Sequence, residues 1–448
     1  MKKNIAFYFI LIVCTSILTA CSDFLDIQPT GKVIAQTGEE YRALLTSVYY
    51  NFPDDRSLTT LRTDELTLDP TYTTVEDLNS YFDIWTWNDV TTDDNTVSFS
   101  WRRYYHTLYI ANYIIEHQRE ITESSTKDID QLLGESYMLR AYTHFILVGL
   151  FGEDFTHCNP EKSLSIPLST HADVDAVLER NSVNDVYKQI LADIDSAEVH
   201  MNVEKWDDDL SYRFSKLSIP ALRSRVYLYM GNWEKALKDA KILVDKHPDL
   251  EDLTQTSFMM PTNYKSCECI QALEKVMKPA YKTIGLPNVT FINTYRSGDM
   301  RKSRYFKART SRIYDLQKGG SDAERSTFRS AEAYLTAAEC AARLGKKSEA
   351  VGYMKTFLET RYARAIIANL EAEMEEANGE ALVDFIIEER HHELAYEGHR
   401  WFDLRRTTQP SIKKEYNEKV YLLEEKDTRY TLPIPTEAIS SNPKLSSK

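Results

Sequence analysis

The sequence predicts a mainly α fold, a tetratricopeptide-like helical-repeat scaffold carrying long loop-rich insertions. Three observations lead there. Tyr227-Leu-Tyr-Met-Gly231-Asn-Trp-Glu-Lys-Ala236 and Arg343-Leu-Gly345-Lys-Lys-Ser-Glu-Ala350 share a Gly-x4-Ala spacing between two apolar-periodic segments. Such spacing marks paired antiparallel helices, and a repeat cannot bury its apolar face alone. Glycine and proline number only 14 each in 448 residues, too few for a β-rich or low-complexity chain. Helical periodicity also fails over two long stretches, about 52–100 and 250–328, and excursions of that length are usually functional.

The first twenty residues are a separate object. Lys2 and Lys3 precede an apolar run from Ile5 to Val13, and Leu18-Thr19-Ala20-Cys21 follows. This is the order of a secretory signal, too short for a membrane-spanning helix at ~20 residues. The Leu-Thr-Ala-Cys ending looks like a bacterial lipobox, so residues 1–20 are expected to be a lipoprotein signal peptide and Cys21 the lipidated first residue. Two acyl signals suffice for stable anchoring. No later segment holds 18 apolar residues in a row. Residues 21–448 are expected to form a single domain.

Removing Lys2 and Lys3 with the signal moves the formal net charge from −14 to −16. A chain this acidic is not built to coat nucleic acid. Cys158, Cys267, Cys269 and Cys340 remain, and the one-residue gap between Cys267 and Cys269 suits neither zinc-finger spacing nor a redox motif. Two disulfides or buried free thiols both fit.

In chain order, residues 22 to about 37 read as an extended tether ending near the turn signal Pro29-Thr-Gly31. Thr37 and Glu40 form a capping box for a helix whose apolar positions are Tyr41, Leu44, Leu45, Val48 and Tyr49. After the first excursion, helices are expected at about 101–119, 129–150, 183–201 and 217–230. The helix after Gly231 is expected to stop at Pro248.

Residues 388–406 hold three histidines, a run of glutamates and four arginines, and invite a metal site. His392 and Glu393 begin a His-Glu-x-x-His pattern, but Tyr396 stands where the second histidine belongs. On one continuous helix His392 and His399 lie ~10.5 Å apart along the axis, too far to share an ion. Val383, Ile387, Leu394 and Trp401 form an apolar stripe instead. Arg390 with Glu393, Glu397 with Arg400 and His399 with Asp403 stand at pairing distance along a helix. The stretch reads as a packed, charge-paired helix, with no metal, no cofactor and no catalytic residue.

Glu389-Arg-His-His-Glu-Leu-Ala-Tyr-Glu-Gly-His-Arg-Trp-Phe-Asp-Leu-Arg-Arg406 resembles the C-terminal signature of the SusD/RagB family of Bacteroidetes outer-membrane lipoproteins. Tyr430-Thr-Leu-Pro-Ile-Pro435 with Asn442-Pro443, Cys21-Ser-Asp-Phe-Leu-Asp26 and Ala331-Glu-Ala-Tyr-Leu-Thr-Ala-Ala-Glu-Cys340 are similar to its other motifs, as are Asp64-Glu65 and the helix from Trp101. The resemblance implies a non-enzymatic, surface-exposed lipoprotein of the cell outer membrane. It would capture an oligosaccharide or peptide and deliver it to a SusC-type TonB-dependent transporter. A repeat scaffold for a protein partner and a glycoside hydrolase are the alternatives; the latter needs two carboxylates ~5–10 Å apart.

Sugars present apolar faces rimmed by hydroxyls, so their sites combine flat aromatics with carboxylates, amides or guanidinium groups. Tyr72, Tyr81, Trp85, Trp87, Asn88, Arg62 and Asp64 offer that mixture in the first excursion, and Tyr295 with Arg296 offers it in the second. These nine are the expected ligand-binding residues. Packing of Trp85 and Trp87 onto the helices is the competing reading.

Overall fold

The structure, a computed structural model, describes residues 35–71, 73–92, 94–278 and 284–446. The signal peptide, Cys21 and Tyr72 lie outside the described residues. Among the described residues twelve helices have seven residues or more: α1 Gly38–Tyr50, α2 Val75–Trp85, α3 Trp101–Glu116, α4 Thr126–Phe151, α5 Val183–His200, α6 Ser218–Tyr229, α7 Trp233–Lys246, α8 Ser330–Arg343, α9 Lys347–Glu359, α10 Arg364–Glu376, α11 Gly379–Leu394 and α12 Arg400–Arg406. Residues Thr37–Lys448 form one compact unit. The mainly α repeat architecture is as the sequence predicts.

Neighbouring helices pack in sequence from α3 to α10, and α11 returns against α8. α4 shows why the stack holds. Its Ser125 cap accepts from Asp128 N–H, and from Gln131 onward it is buried on every side. A helix buried all round belongs at the centre of a helical layer. Thr37 and Glu40 complete the expected capping box at α1.

The repeat glycines serve the turns. Gly231 and Gly345 have φ of +69° and +73°, and a Cβ on Gly345 would meet nothing within 4 Å. Their role is the left-handed turn between helices rather than close helix approach. Close approach falls to Ala236 and Ala350, both fully buried.

The two excursions are less irregular than the sequence suggests, and they merge. The first contains α2, capped by Thr74 on Asp77 N–H. The second carries short strands. β1 Leu66–Thr67, from the first, pairs antiparallel with β3 Leu286–Pro287, from the second. β2 Cys269–Gln271 pairs with β6 Phe328–Arg329, and β4 Phe306–Ala308 with β5 Tyr314–Leu316. A shared core of Leu58, Leu61, Trp85, Met277, Phe291 and Tyr305 binds both excursions to Tyr396. A last hairpin, β7 Ile412–Tyr416 with β8 Lys419–Leu423, closes over α2.

The signature stretch is not one helix. α11 ends at Leu394 and α12 begins at Arg400, and Tyr396 and Gly398 between them have φ of +65° and +71°. The axial separation inferred for His392 and His399 therefore does not apply. The three short-range pairs are also replaced by longer ones. Arg390 bonds Asp403 at 2.9 Å, Arg329 bonds Glu397 at 2.7 Å, and Arg400 bonds Asp64 at 2.7 Å. His399 faces Arg56 at 3.0 Å. Among the described residues no group of three or more His, Cys, Asp or Glu side chains is placed to hold a metal ion. Cys158, Cys267, Cys269 and Cys340 are free thiols. No helix among the described residues is long and apolar enough to cross a membrane.

Candidate functional site

The expected ligand residues do not converge. Trp85 and Trp87 are 0% and 1% exposed, so neither face is open to a sugar. Their indole N–H groups donate to the carbonyls of Leu66 (3.3 Å) and Arg62 (2.8 Å). Both rings sandwich Lys414, whose ammonium lies 5.0 Å and 4.2 Å from their centroids and donates to the carbonyls of Leu61 and Trp85. Burial, with Arg62 nearby, pushes that lysine well below its ordinary range. In the structure both tryptophans are packed into the interior.

The other candidates are equally committed. Arg62 is fully buried, bidentate to Asp89 at 2.6 and 2.9 Å, and stacked on Trp401. Asn88 spends its amide on Asp83 and on the backbone and hydroxyl of Thr91. Tyr81 and Tyr295 are buried, and the Tyr295 hydroxyl donates to the carbonyl of His392. Trp87 and Asn88 border a cavity of about 450 Å³ with Tyr421 and Arg429. Asp64 and Arg296 border another of about 620 Å³ with His391 and Arg400. In the latter Asp64 is held by Arg400 and Arg296 by Glu373 at 2.5 Å.

A different cleft presents free chemistry. About 330 Å³ in volume, it runs between the end of α1 (Thr46, Tyr49, Tyr50), residues 208–212, and the second excursion at Tyr264, Leu273, Asp322 and Arg325. Tyr50 projects because the buried stripe of α1 is Tyr41, Leu45, Val48 and Tyr49. One residue further is ~100° further round, and Tyr50 is 88% exposed. Tyr49 forms the floor. Its hydroxyl donates to Glu135 at 3.1 Å and its ring meets Tyr212 edge-on at 5.5 Å.

Backbone bonds fix the walls. Ala272 N–H donates to Ser211 O at 2.9 Å, Gln271 donates to Tyr212 O at 3.1 Å, and Tyr264 N–H donates to Ala323 O at 3.0 Å. Arg325 donates to the carbonyls of Asp322 and Leu273. Asp208 and Asp209 stand exposed at the rim. Tyrosine faces for stacking, carboxylate acceptors and a guanidinium donor thus surround one opening, the combination a polyhydroxylated ligand requires.

Sequence reasoning passed over these residues. Tyr50 looks like one more tyrosine of a helix, although its phase off the apolar stripe is legible. The run Asp207-Asp-Asp209 ahead of Tyr212 is a second signal. That Tyr264 and Arg325 would join them depends on the two excursions folding together, which no local pattern announces.

Two family profiles match the chain and together take in most of it. One, described as "Starch-binding associating with outer membrane", matches residues 23–228; the other, the SusD family, matches residues 281–448. A SusD-like protein of Formosa agariphila is 24% identical, over 90% of this chain and 92% of its own length. A SusD superfamily structure from Bacteroides thetaiotaomicron superposes with a TM-score of 0.76 at 19% identity, covering 92% of this chain and 99% of that one. A SusD-like carbohydrate binding protein from Bacteroides vulgatus does so with 0.67 at 16% identity, covering 92% and 98%. These matches, the repeat fold and the signature around Gly398 agree, and the chain belongs to the SusD/RagB family.

Proposed function

We propose that this protein captures a glycan at the outer-membrane surface, through the tyrosine cleft, and delivers it to a SusC-type TonB-dependent transporter. The observation that carries the reading is the cleft itself: Tyr50, Tyr212 and Tyr264 around one opening, with the exposed carboxylates of Asp208 and Asp209 beside them. Families of this kind are binding proteins, and the carbohydrate-binding relative and the starch-binding profile support a glycan over a peptide. Lipidation of Cys21 would hold the domain at the membrane its family associates with.

Calorimetry against a panel of oligosaccharides tests the binding step. Tyr50→Ala and Tyr212→Ala each should lower affinity about tenfold by removing a stacking face. Undiminished affinity in both variants sinks the cleft assignment. For delivery, the lipidated chain purified from outer membranes should bring a large β-barrel transporter with it; recovery of the chain alone counts against that step.

A further inference from the structure

The cleft also carries information about the charge of its ligand. Of the four ionised side chains that line it, Asp208, Asp209 and Asp322 are acidic and Arg325 is basic. Asp322 is bonded by Lys275 at 2.5 Å, and Arg325 has two of its N–H positions on backbone carbonyls. Among the described residues Asp208 and Asp209 have no ion-pair partner, and both are open to water, with the exposed Asp207 directly before them. The nearby cations are turned to other work. Arg213 lies over the Tyr212 ring at 5.5 Å and donates to its hydroxyl, and Lys265 lies over Tyr264 at 5.4 Å.

We infer that Asp208 and Asp209 are specificity-determining residues that restrict the cleft to glycans without acidic groups. The inference rests on the glycan reading of this site. A uronate carboxylate or sulfate ester stacked between Tyr50 and Tyr212 would approach two carboxylates that no cation among the described residues pairs. Like charges ~4 Å apart repel appreciably even in water, and more strongly where an aromatic wall displaces solvent. Uncharged sugars meet the same carboxylates as hydrogen-bond acceptors for hydroxyls. The acidic net charge of the chain, −14, adds long-range repulsion against polyanions.

The test measures binding of the full mature chain to two sets of oligosaccharides by calorimetry. Neutral probes are oligomers of glucose, mannose, xylose and galactose; acidic probes are oligomers of galacturonate, mannuronate and sulfated galactose. At least one neutral probe should bind at least about tenfold more tightly than every acidic probe at low salt, and the gap should narrow as salt screens it. D208N/D209N should bind acidic probes more tightly and the neutral one less tightly, because an amide accepts more weakly than a carboxylate, so that the gap between the two sets closes. Tighter binding of an acidic probe by the unaltered chain, or no change in acidic binding by D208N/D209N, overturns the charge inference and leaves the glycan reading standing. Failure of all probes to bind removes the glycan reading and this inference with it.

Discussion

Gly398 sits directly against the backbone of Arg56: a Cβ at position 398 would collide with the Arg56 carbonyl, lying 2.5 Å from its carbon and 3.0 Å from Ser57 N. The glycine also has φ +71°. Here the break between α11 and α12 locks onto the first excursion, and Arg56 in turn donates to the carbonyl of Glu397.

Gly398→Ala should therefore be far more costly than Gly345→Ala. At Gly345, also left-handed, the added methyl meets open space and only the backbone preference is lost, ~1–2 kcal/mol. At Gly398 the same preference is joined by a clash with backbone that cannot rotate away. Urea titrations should show a modest midpoint shift for Gly345→Ala and loss of cooperative folding for Gly398→Ala; similar shifts would refute the contact.

Glu393 is the centre of a buried charge cluster. Its carboxylate accepts from Arg361 at 2.8 and 2.9 Å and from Arg329 at 2.7 Å, with Arg301 at 3.6 Å. Against the cost of burial, Arg361 and then Arg329 hold it well below the usual carboxylate range. Glu393→Gln leaves buried guanidinium groups short of charge and should cost ~3–5 kcal/mol. Glu373→Gln, which breaks the half-exposed pair with Arg296, should cost under ~1 kcal/mol. Equal losses in the two variants would show that burial does not set the strength of these pairs.

What was legible in the sequence follows from how local each signal is. Thr37 and Glu40 announce their helix because a capping box closes within three residues. The burial of residues 388–406 was legible from their apolar stripe, but their partners were not. Arg329, Asp64 and Arg56 come from segments tens to hundreds of residues away. α2 was readable in principle, since Leu78, Tyr81, Phe82 and Trp85 keep helical spacing, yet Asp- and Thr-rich flanks hid it. The cleft was the least readable part. Tyr50, Tyr212 and Tyr264 meet where Gln271, at the end of β2, and Ala272 after it are bonded to Tyr212 and Ser211.

Trp87 is predicted to act on stability rather than on affinity. It holds φ +59°, its ring covers Lys414, and its indole N–H is bonded to Arg62 O. Trp87→Ala empties a fully buried site and uncovers a buried amine, so a loss of ~3–5 kcal/mol is expected. The folded variant should bind glycan like the unaltered chain. A large fall in affinity with unchanged stability would return Trp87 to the binding site.

Glu65 gives the fold a pH dependence of definite sign. Burial, and secondarily the neighbouring Asp64 carboxylate, push its carboxyl up to about 8. It accepts from Tyr396 N–H at 3.1 Å and from the Thr63 hydroxyl at 3.2 Å, and His391 lies 3.6 Å away. In the unfolded chain the same group titrates near its ordinary value of 4.5. Between those two values the folded state holds a proton that the unfolded state has lost. The stability this group contributes is therefore complete below about pH 4.5 and is lost as pH rises towards 8. Glu65→Gln keeps a neutral acceptor for Tyr396 N–H, and its amide N–H can donate to Thr63, whose own hydroxyl also donates to Thr60 O. The variant should gain on the unaltered chain by on the order of 3 kcal/mol between pH 5 and pH 8. Denaturant midpoints measured at both pH values read this directly. Parallel pH profiles for the two proteins would mean that Glu65 is ionised in the fold and that Arg400 or His391 compensates it.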